Sequence, residues 1–151
     1  MNVTFCGHSE IYAQEPVRQW LVKTVEDLIA KGAEVFLLGG YGQFDQIAAS
    51  VVWELKAKHS HIQSTLVLPY LDKKIDTSHY DDTTYPPLET VPRRYAISHR
   101  NRWMVDNADV VVSYVLHGWG GAATTLEYAE RKQKVILRYS TEKEESYETK
   151  R

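Results

Sequence analysis

The sequence predicts an α/β fold: a Rossmann-like, doubly wound parallel sheet of about five strands with helices on both faces. Three observations predict it. Short β-rich runs alternate with helical patterns in the order β-α-β-α-β-α-β-α-β, which implies a parallel sheet. Runs such as DVVVSYV (109–115) are apolar almost without interruption, as strands covered on both faces are. Three strand ends carry clustered or isolated glycines where the chain must turn into a helix. Right-handed crossovers then give the strand order 3-2-1-4-5. A ligand crevice is expected beyond the carboxyl ends of the strands, where the order reverses, between the first and the fourth.

The elements follow in order. NVTFC (2–6) reads as the first strand, ended by Gly7. Pro16 suits the first turn of a helix, Leu21, Val25, Leu28 and Ile29 recur on one helical face, and Gly32 stops it. EVFLL (34–38) is the second strand and runs into GGYGQFD. Ile47, Val51 and Leu55 mark a second helix ending near His59. STLVLPY (64–70) is the third strand, stopped by Pro69, and 96–108 is helical. After the fourth strand (109–115), ATTLEYAERK (123–132) is helical and KVILRY (134–139) is the fifth strand. Residues 1–139 are read as one domain and the charged tail 140–151 as flexible. The segment 71–92, rich in Pro, Asp, Thr and Tyr, is too long for an ordinary connection. It reads either as a surface excursion or dimer contact, or as a flap over a ligand.

A chain of 151 residues is long enough to bury a core. A formal net charge of -2 gives no general attraction to nucleic acid, so no nucleic-acid partner is expected. The single cysteine excludes a disulfide framework and a cysteine-rich metal site. The start, MNVTFCGHSE, lacks the regions of a secretory signal, and no apolar run approaches a membrane span. A cytoplasmic protein with no membrane partner is expected.

The glycine-bearing strand ends are CGHSE (6–10), GGYGQFD (39–45) and HGWGGAATT (117–125). A parallel sheet puts all three on one edge. Glycine permits positive φ and close approach of backbone amides, and the helix that follows offers free N–H groups. Together these favour an anion, typically a phosphate. Gly7 and His8, then Gly39, Gly40, Tyr41 and Gly42, then His117, Gly118, Trp119, Gly120, Gly121, Thr124 and Thr125 are the candidate cradle, the threonines adding hydroxyl donors. The dinucleotide fingerprint Gly-x-Gly-x-x-Gly and the Lys-Ser/Thr pair of a P-loop are both missing. Glu127 completes a capping box with Thr124, or meets the ribose of a ligand; both readings stand. Arg100 begins nearer the ligand edge than Arg102 and would grip a phosphate bidentately, although a solvated arginine or a salt bridge is the simpler expectation.

TFCGH, LLGGYGQFDQIAA, SHRNRWMVDNADVVVSYV and GGAATTLEYA together resemble the SLOG superfamily of Rossmann-like proteins, most closely its YpsA-like branch. The resemblance runs to about the fifth strand. The superfamily includes the Lonely Guy phosphoribohydrolases, whose Gly-Gly-x-Gly-Thr-x-x-Glu motif falls on residues 120–127. Gly120, Gly121, Thr124 and Glu127 match it. Ala123 replaces a glycine, Trp119 the preceding proline, and Asn101 the lysine beside the position of the catalytic arginine, Arg100. The resemblance implies a binder of a nucleotide or nucleotide-derived phosphorylated ligand, of ADP-ribose type or a nucleoside monophosphate, acting as a sensor or sequestering protein. The alternative it implies is an N-glycosidase that cleaves a base from a nucleoside monophosphate, with Glu127 and Arg100 catalytic. It also allows a homodimer or higher homo-oligomer.

The remaining candidates are simpler. No metal and no cofactor is expected: His59 and His61 have no acidic or cysteine partner nearby in sequence. His8 and His117 lie on the proposed ligand edge, to donate to phosphate or to sense pH. Cys6 reads as a small buried residue, and Trp20, Trp53 and Trp103 as helix packing. Trp119 and Tyr41, each in a glycine loop, either stack on a base or cover their own loops.

Overall fold

The structure, a computed structural model, describes residues 1–141. Among them are β1 (Asn2–Gly7), α1 (Gln14–Ala30), β2 (Val35–Leu38), α2 (Gly42–Leu55), β3 (Gln63–Val67) and β4 (Asp82–Thr84). A short 3-10 turn (Arg93–Tyr95), α3 (Ala96–Asp106), β5 (Val110–Tyr114), α4 (Gly121–Arg131) and β6 (Val135–Arg138) follow. Every strand pair is parallel and the spatial order is β4-β3-β2-β1-β5-β6. The five expected strands therefore stand in the expected order, with one strand more than expected at the β3 edge. The expected tail, beyond its first two residues, lies outside the described residues.

The alternation of side chains across the sheet decides the layers. Val3 and Phe5 of β1, Phe36 and Leu38 of β2, and Val110 and Val112 of β5 pack with Leu21 and Val25 of α1 and Ala48 and Val51 of α2. The intervening residues point the other way. Cys6 and Val111 pack with Val105 of α3 and Leu126 and Ala129 of α4, and Leu37 and Val67 pack with Met104 of α3. Both faces are buried, which is why the strands read as continuous apolar runs. The first two crossover helices thus cover one face and the last two the other. The switch falls between the neighbours β1 and β5.

Local signals act as expected at α1. Pro16 sits in its first turn, and Gly32 adopts φ 106° just past its end while Ala33 N–H bonds back to Leu28 O at 2.9 Å. The additional strand, β4, comes from the segment 71–92. Two of its three residues are exposed, so it carries no apolar alternation to reveal it. It is tethered instead by Asp81, whose carboxylate accepts Ser64 N–H at 2.8 Å and pairs with Lys56 Nζ at 2.8 Å. No residue of 71–92 lines the cavity described below, and its residues 82–84 extend the sheet. Among the described residues no helix is long and apolar enough to cross a membrane.

Candidate functional site

The carboxyl ends of β2, β1 and β5 are adjacent, and a cavity of about 540 Å³ opens above them at the switch point. The three glycine-bearing loops do converge there, but they are not alike. A Cβ on Gly7 would lie within 2.7 Å of Phe44 Cβ and closer still to its ring. One on Gly40 (φ 77°) would meet Leu66 Cδ1 at 2.7 Å, and one on Gly42 (φ 84°) would meet Ser9 Cα at 2.7 Å. The first two loops are therefore packed onto the protein itself; Gln43 N–H bonds to Ser9 O at 2.9 Å, and Gln43 Oε1 accepts Ile11 N–H at 2.6 Å. In the third loop, Cβ atoms on Gly118, Gly120 and Gly121 would meet nothing within 4 Å. Gly120 still needs its glycine for φ 95°. Gly118 and Gly121 are required neither by packing nor by backbone conformation.

Arg100 supplies the charge. It occupies the same α3 stripe as Met104, four residues on, and that stripe faces the sheet. Its side chain is only 2% exposed, which replaces the expectation of a solvated arginine. Nη1 donates to Gly39 O and to Val67 O, both at 2.8 Å, and Nε donates to Asn101 Oδ1 at 2.9 Å. The guanidinium thereby ties the ends of β2 and β3 together. Gly39 makes room for it: a Cβ there would lie 3.2 Å from Arg100 Cζ and 3.0 Å from Asp45 Oδ2. Burial lowers the pKa of Arg100, and the Asp45 carboxylate opposes that shift.

Asp45 and Glu10 are the carboxylates of the cavity wall, and Asp45 is the one beside Arg100. Desolvation pushes its pKa up to about 7, against the pull of Arg100 and of the Tyr41 N–H that it accepts at 3.4 Å. Sequence reasoning passed over Asp45 and Asn101. The available signal was periodicity, because Asp45 shares an inward stripe with Ala49 and Val52, both buried.

Three rings are piled at the cavity mouth. His8 and His117 stack at 3.8 Å with 13° between planes, and His117 and Trp119 stack at 3.8 Å with 18°. His8 Nε2 accepts Leu116 N–H at 2.8 Å, which requires that nitrogen to be unprotonated. Burial and the neighbouring His117 lower the His8 pKa in the same direction. His117 Nδ1 is buried without a hydrogen-bond partner.

The sequence-predicted residues divide accordingly. Gly7, His8, Tyr41, Arg100, His117 and Trp119 are on the wall, joined by Gly120, Gly121 and Thr125 from the start of α4. Gly39, Gly40, Gly42 and Gly118 lie behind or beside it. Thr124 and Glu127 are exposed on α4 and not on the wall, and the capping box between them does not form. The N-cap of α4 is Gly120, so Thr124 already lies within the helix. Its hydroxyl donates to Gly120 O at 3.1 Å, and that of Thr125 donates to Gly121 O at 2.9 Å. In this structure both hydroxyl protons are held by the helix's own carbonyls. Cys6 donates its thiol to Ala122 O at 3.2 Å, and burial, then Asp45, push its pKa up to about 12. Among the described residues no group of three His, Cys, Asp or Glu is placed to hold a metal.

No protein-family model matches the chain, and no curated protein matches it in sequence. Solved structures do. DNA processing protein A from Helicobacter pylori, described for its single-stranded DNA binding mode, is 18% identical with a TM-score of 0.68; the match covers 95% of this chain and 66% of that one. The molybdenum cofactor carrier protein from Chlamydomonas reinhardtii is 16% identical with a TM-score of 0.64, over 95% of this chain and 79% of that one. TM1055, a structural genomics target, is 20% identical with a TM-score of 0.59, over 89% and 71%. Against the DNA processing protein, this chain spans just under two thirds of the length. These likenesses show the fold alone, a Rossmann-like fold shared with these proteins. They also correct one expectation. Net charge was taken to exclude nucleic acid, yet a protein of this fold binds single-stranded DNA, so the exclusion does not hold. Net charge averages over a surface, whereas binding depends on local groups.

Proposed function

With that fold as the premise, we propose that residues 1–139 form a single SLOG-like domain that binds a nucleotide or nucleotide-derived phosphorylated ligand in the switch-point cavity. The ligand is of ADP-ribose type or a nucleoside monophosphate, and the protein acts as a cytoplasmic sensor or sequestering protein. One observation carries the reading: Gly121, at the first turn of α4 on the cavity wall, is a glycine that the fold itself does not need. Bare backbone at a helix amino end lets an anion approach the free N–H groups. Arg100 adds positive charge to the same cavity, and Asp45, with a pKa of about 7, offsets it only in part near neutral pH. Glu127, the carboxylate expected to serve an N-glycosidase, stands off the wall, whose carboxylates are Glu10 and Asp45. Binding without turnover is the simpler reading.

The test is calorimetric titration with AMP, ADP-ribose, NAD and cyclic ADP-ribose, followed by chromatography of the recovered ligand. Saturable binding of at least one, recovered intact, is expected. A folded protein that binds none of them overturns the proposal, and release of free base replaces it with the glycosidase.

A further inference from the structure

The pile of three rings starts at the edge of the core and ends in solvent. His8 meets the core at the edge of Tyr114, and His117 and then Trp119 are stacked onto it in turn. The pile is held firmly. His8 is fixed by the Leu116 N–H and by the edge of Tyr114, whose ring centroid is 5.9 Å away. His117 is held between two rings although its Nδ1 is left without a partner, an arrangement that is unfavourable unless something else requires the ring there. Trp119 ends the pile and is 71% exposed. One face of the indole is spent on His117, so the exposure belongs to the other. Its chain neighbours, Gly118 and Gly120, carry no side chain that could cover it.

We propose that the free face of Trp119 is the platform on which the ligand's planar heteroaromatic ring stacks. The inference rests on the nucleotide reading above and names the part of the ligand that reading leaves open. An imidazole–imidazole–indole pile offers a continuous π surface, and what such a surface recognises is another flat ring. The surroundings suit it. Tyr12 and Leu116 are 95% and 45% exposed on the same cavity wall, so the mouth is apolar and uncovered. Trp119 is followed directly by Gly120 and Gly121, so ring site and anion site are consecutive along one loop. A ligand with a base at one end and a phosphate at the other spans them. Stacking is tolerant of base identity, so adenine serves as the probe. The ring can belong to a free nucleotide or to a base of a single strand, and the experiment separates these sources.

AMP, ribose 5-phosphate and a short oligothymidylate are titrated into the wild type, Trp119→Ala and Trp119→Phe, following tryptophan emission and calorimetric affinity. Trp119 lies in an exposed loop, so both variants should fold. AMP is expected to bind about tenfold to a hundredfold more tightly than ribose 5-phosphate and to quench emission, which ribose 5-phosphate does not. Trp119→Ala should bring AMP down to the level of ribose 5-phosphate and leave the latter unchanged; Trp119→Phe should restore most of the difference. Equal affinity for AMP and ribose 5-phosphate in the wild type, with no effect of Trp119→Ala, overturns the platform and leaves the anion site standing. Quenching by the oligothymidylate alone keeps the platform and overturns the mononucleotide reading. If no probe binds, both fall.

Discussion

Two glycines on one cavity wall, Gly7 and Gly121, should respond to the same substitution with opposite signs. At Gly7 an alanine methyl would enter the ring of Phe44, which is fully buried and has ring contacts with Phe5 at 6.4 Å and Tyr114 at 5.7 Å between centroids. Phe44 has no room to retreat. Overpacking of this kind costs about 1–3 kcal/mol, and contacts this short put Gly7→Ala at the upper end. A chain of this length loses about 2–4 °C of Tm per kcal/mol, so a fall of roughly 6–12 °C is expected. At Gly121 the methyl meets nothing within 4 Å, φ is not in the left-handed region, and the position is the first of α4. There alanine should gain up to about 1 kcal/mol from helix propensity, or roughly 2–4 °C.

Binding should move the other way. The Gly121→Ala methyl would stand where a phosphate must approach the backbone, weakening AMP by about tenfold or more, roughly 1.4 kcal/mol. Scanning calorimetry reads the stability and titration calorimetry the affinity. A Tm for Gly7→Ala within about 2 °C of the wild type would refute the packing argument. A Gly121→Ala protein that is stabilised yet binds AMP as before would refute the claim that this glycine serves ligand approach, and with it the observation on which the functional proposal rests.

Three further expectations follow from the electrostatics. Asp45 keeps its proton in the folded state up to about pH 7 but releases it near pH 4 when unfolded, so wild-type stability should fall as pH rises through that interval; Asp45→Asn should flatten the slope, and urea unfolding at pH 5 and pH 8 that shows the same slope in both proteins would disprove this. Desolvation pushes the Asp81 carboxyl up, but hydrogen bonds from Lys56 and Ser64 outweigh it and hold the pKa low, so its tether is present at neutral pH and is lost as pH falls below the ordinary carboxylate range. Asp81→Ala should cost about 1–3 kcal/mol and speed hydrogen exchange in Asp82–Thr84 while sparing β1; uniform exchange across the sheet would contradict the edge assignment. The buried Cys6 thiol should resist a disulfide reagent in the native protein and react only at the rate of unfolding; rapid native labelling would count against its burial.

How much was legible in the sequence follows from which elements are held by burial. β1, β2, β5 and most of α1 are apolar runs or stripes because both sheet faces are covered, and periodicity reads them directly. β4 is held by Asp81 and by backbone bonds to β3, and no pattern of apolar residues marks it. The start of α2 was also hidden: Gly42, with φ 84°, begins the helix, so its first turn reads as loop. Convergence of the glycine loops was legible because parallel strands share a direction. Their division into packed and open loops was not, since it depends on Phe44, Leu66 and Ser9 as neighbours. For the same reason Thr124 and Glu127 match a motif in spacing but fall outside the cavity, because α4 starts at Gly121, three residues before the threonine.

The strand-end crosslink made by Arg100 also sets the pH behaviour expected of ligand binding. Asp45 faces Arg100, the Tyr41 N–H, and the side chains of Cys6 and Tyr80, whose own pKa values its charge raises. The thiol and the phenol are uncharged near neutral pH, and His8 is neutral because its Nε2 accepts a hydrogen bond. Asp45 is thus the group of this cluster that titrates between pH 6 and pH 8. A phosphate entering the cavity brings like charge toward it and must raise its pKa further. Binding should therefore take up a fraction of a proton at pH 7–8, and affinity should decline as pH rises past about 7. Titration calorimetry in buffers of different ionisation enthalpy measures that uptake, and Asp45→Asn should abolish it while leaving binding at pH 8 at least as tight. Binding whose enthalpy is independent of the buffer would mean that the anion sits too far from Asp45 to be sensed, and so away from the Arg100 side of the cavity.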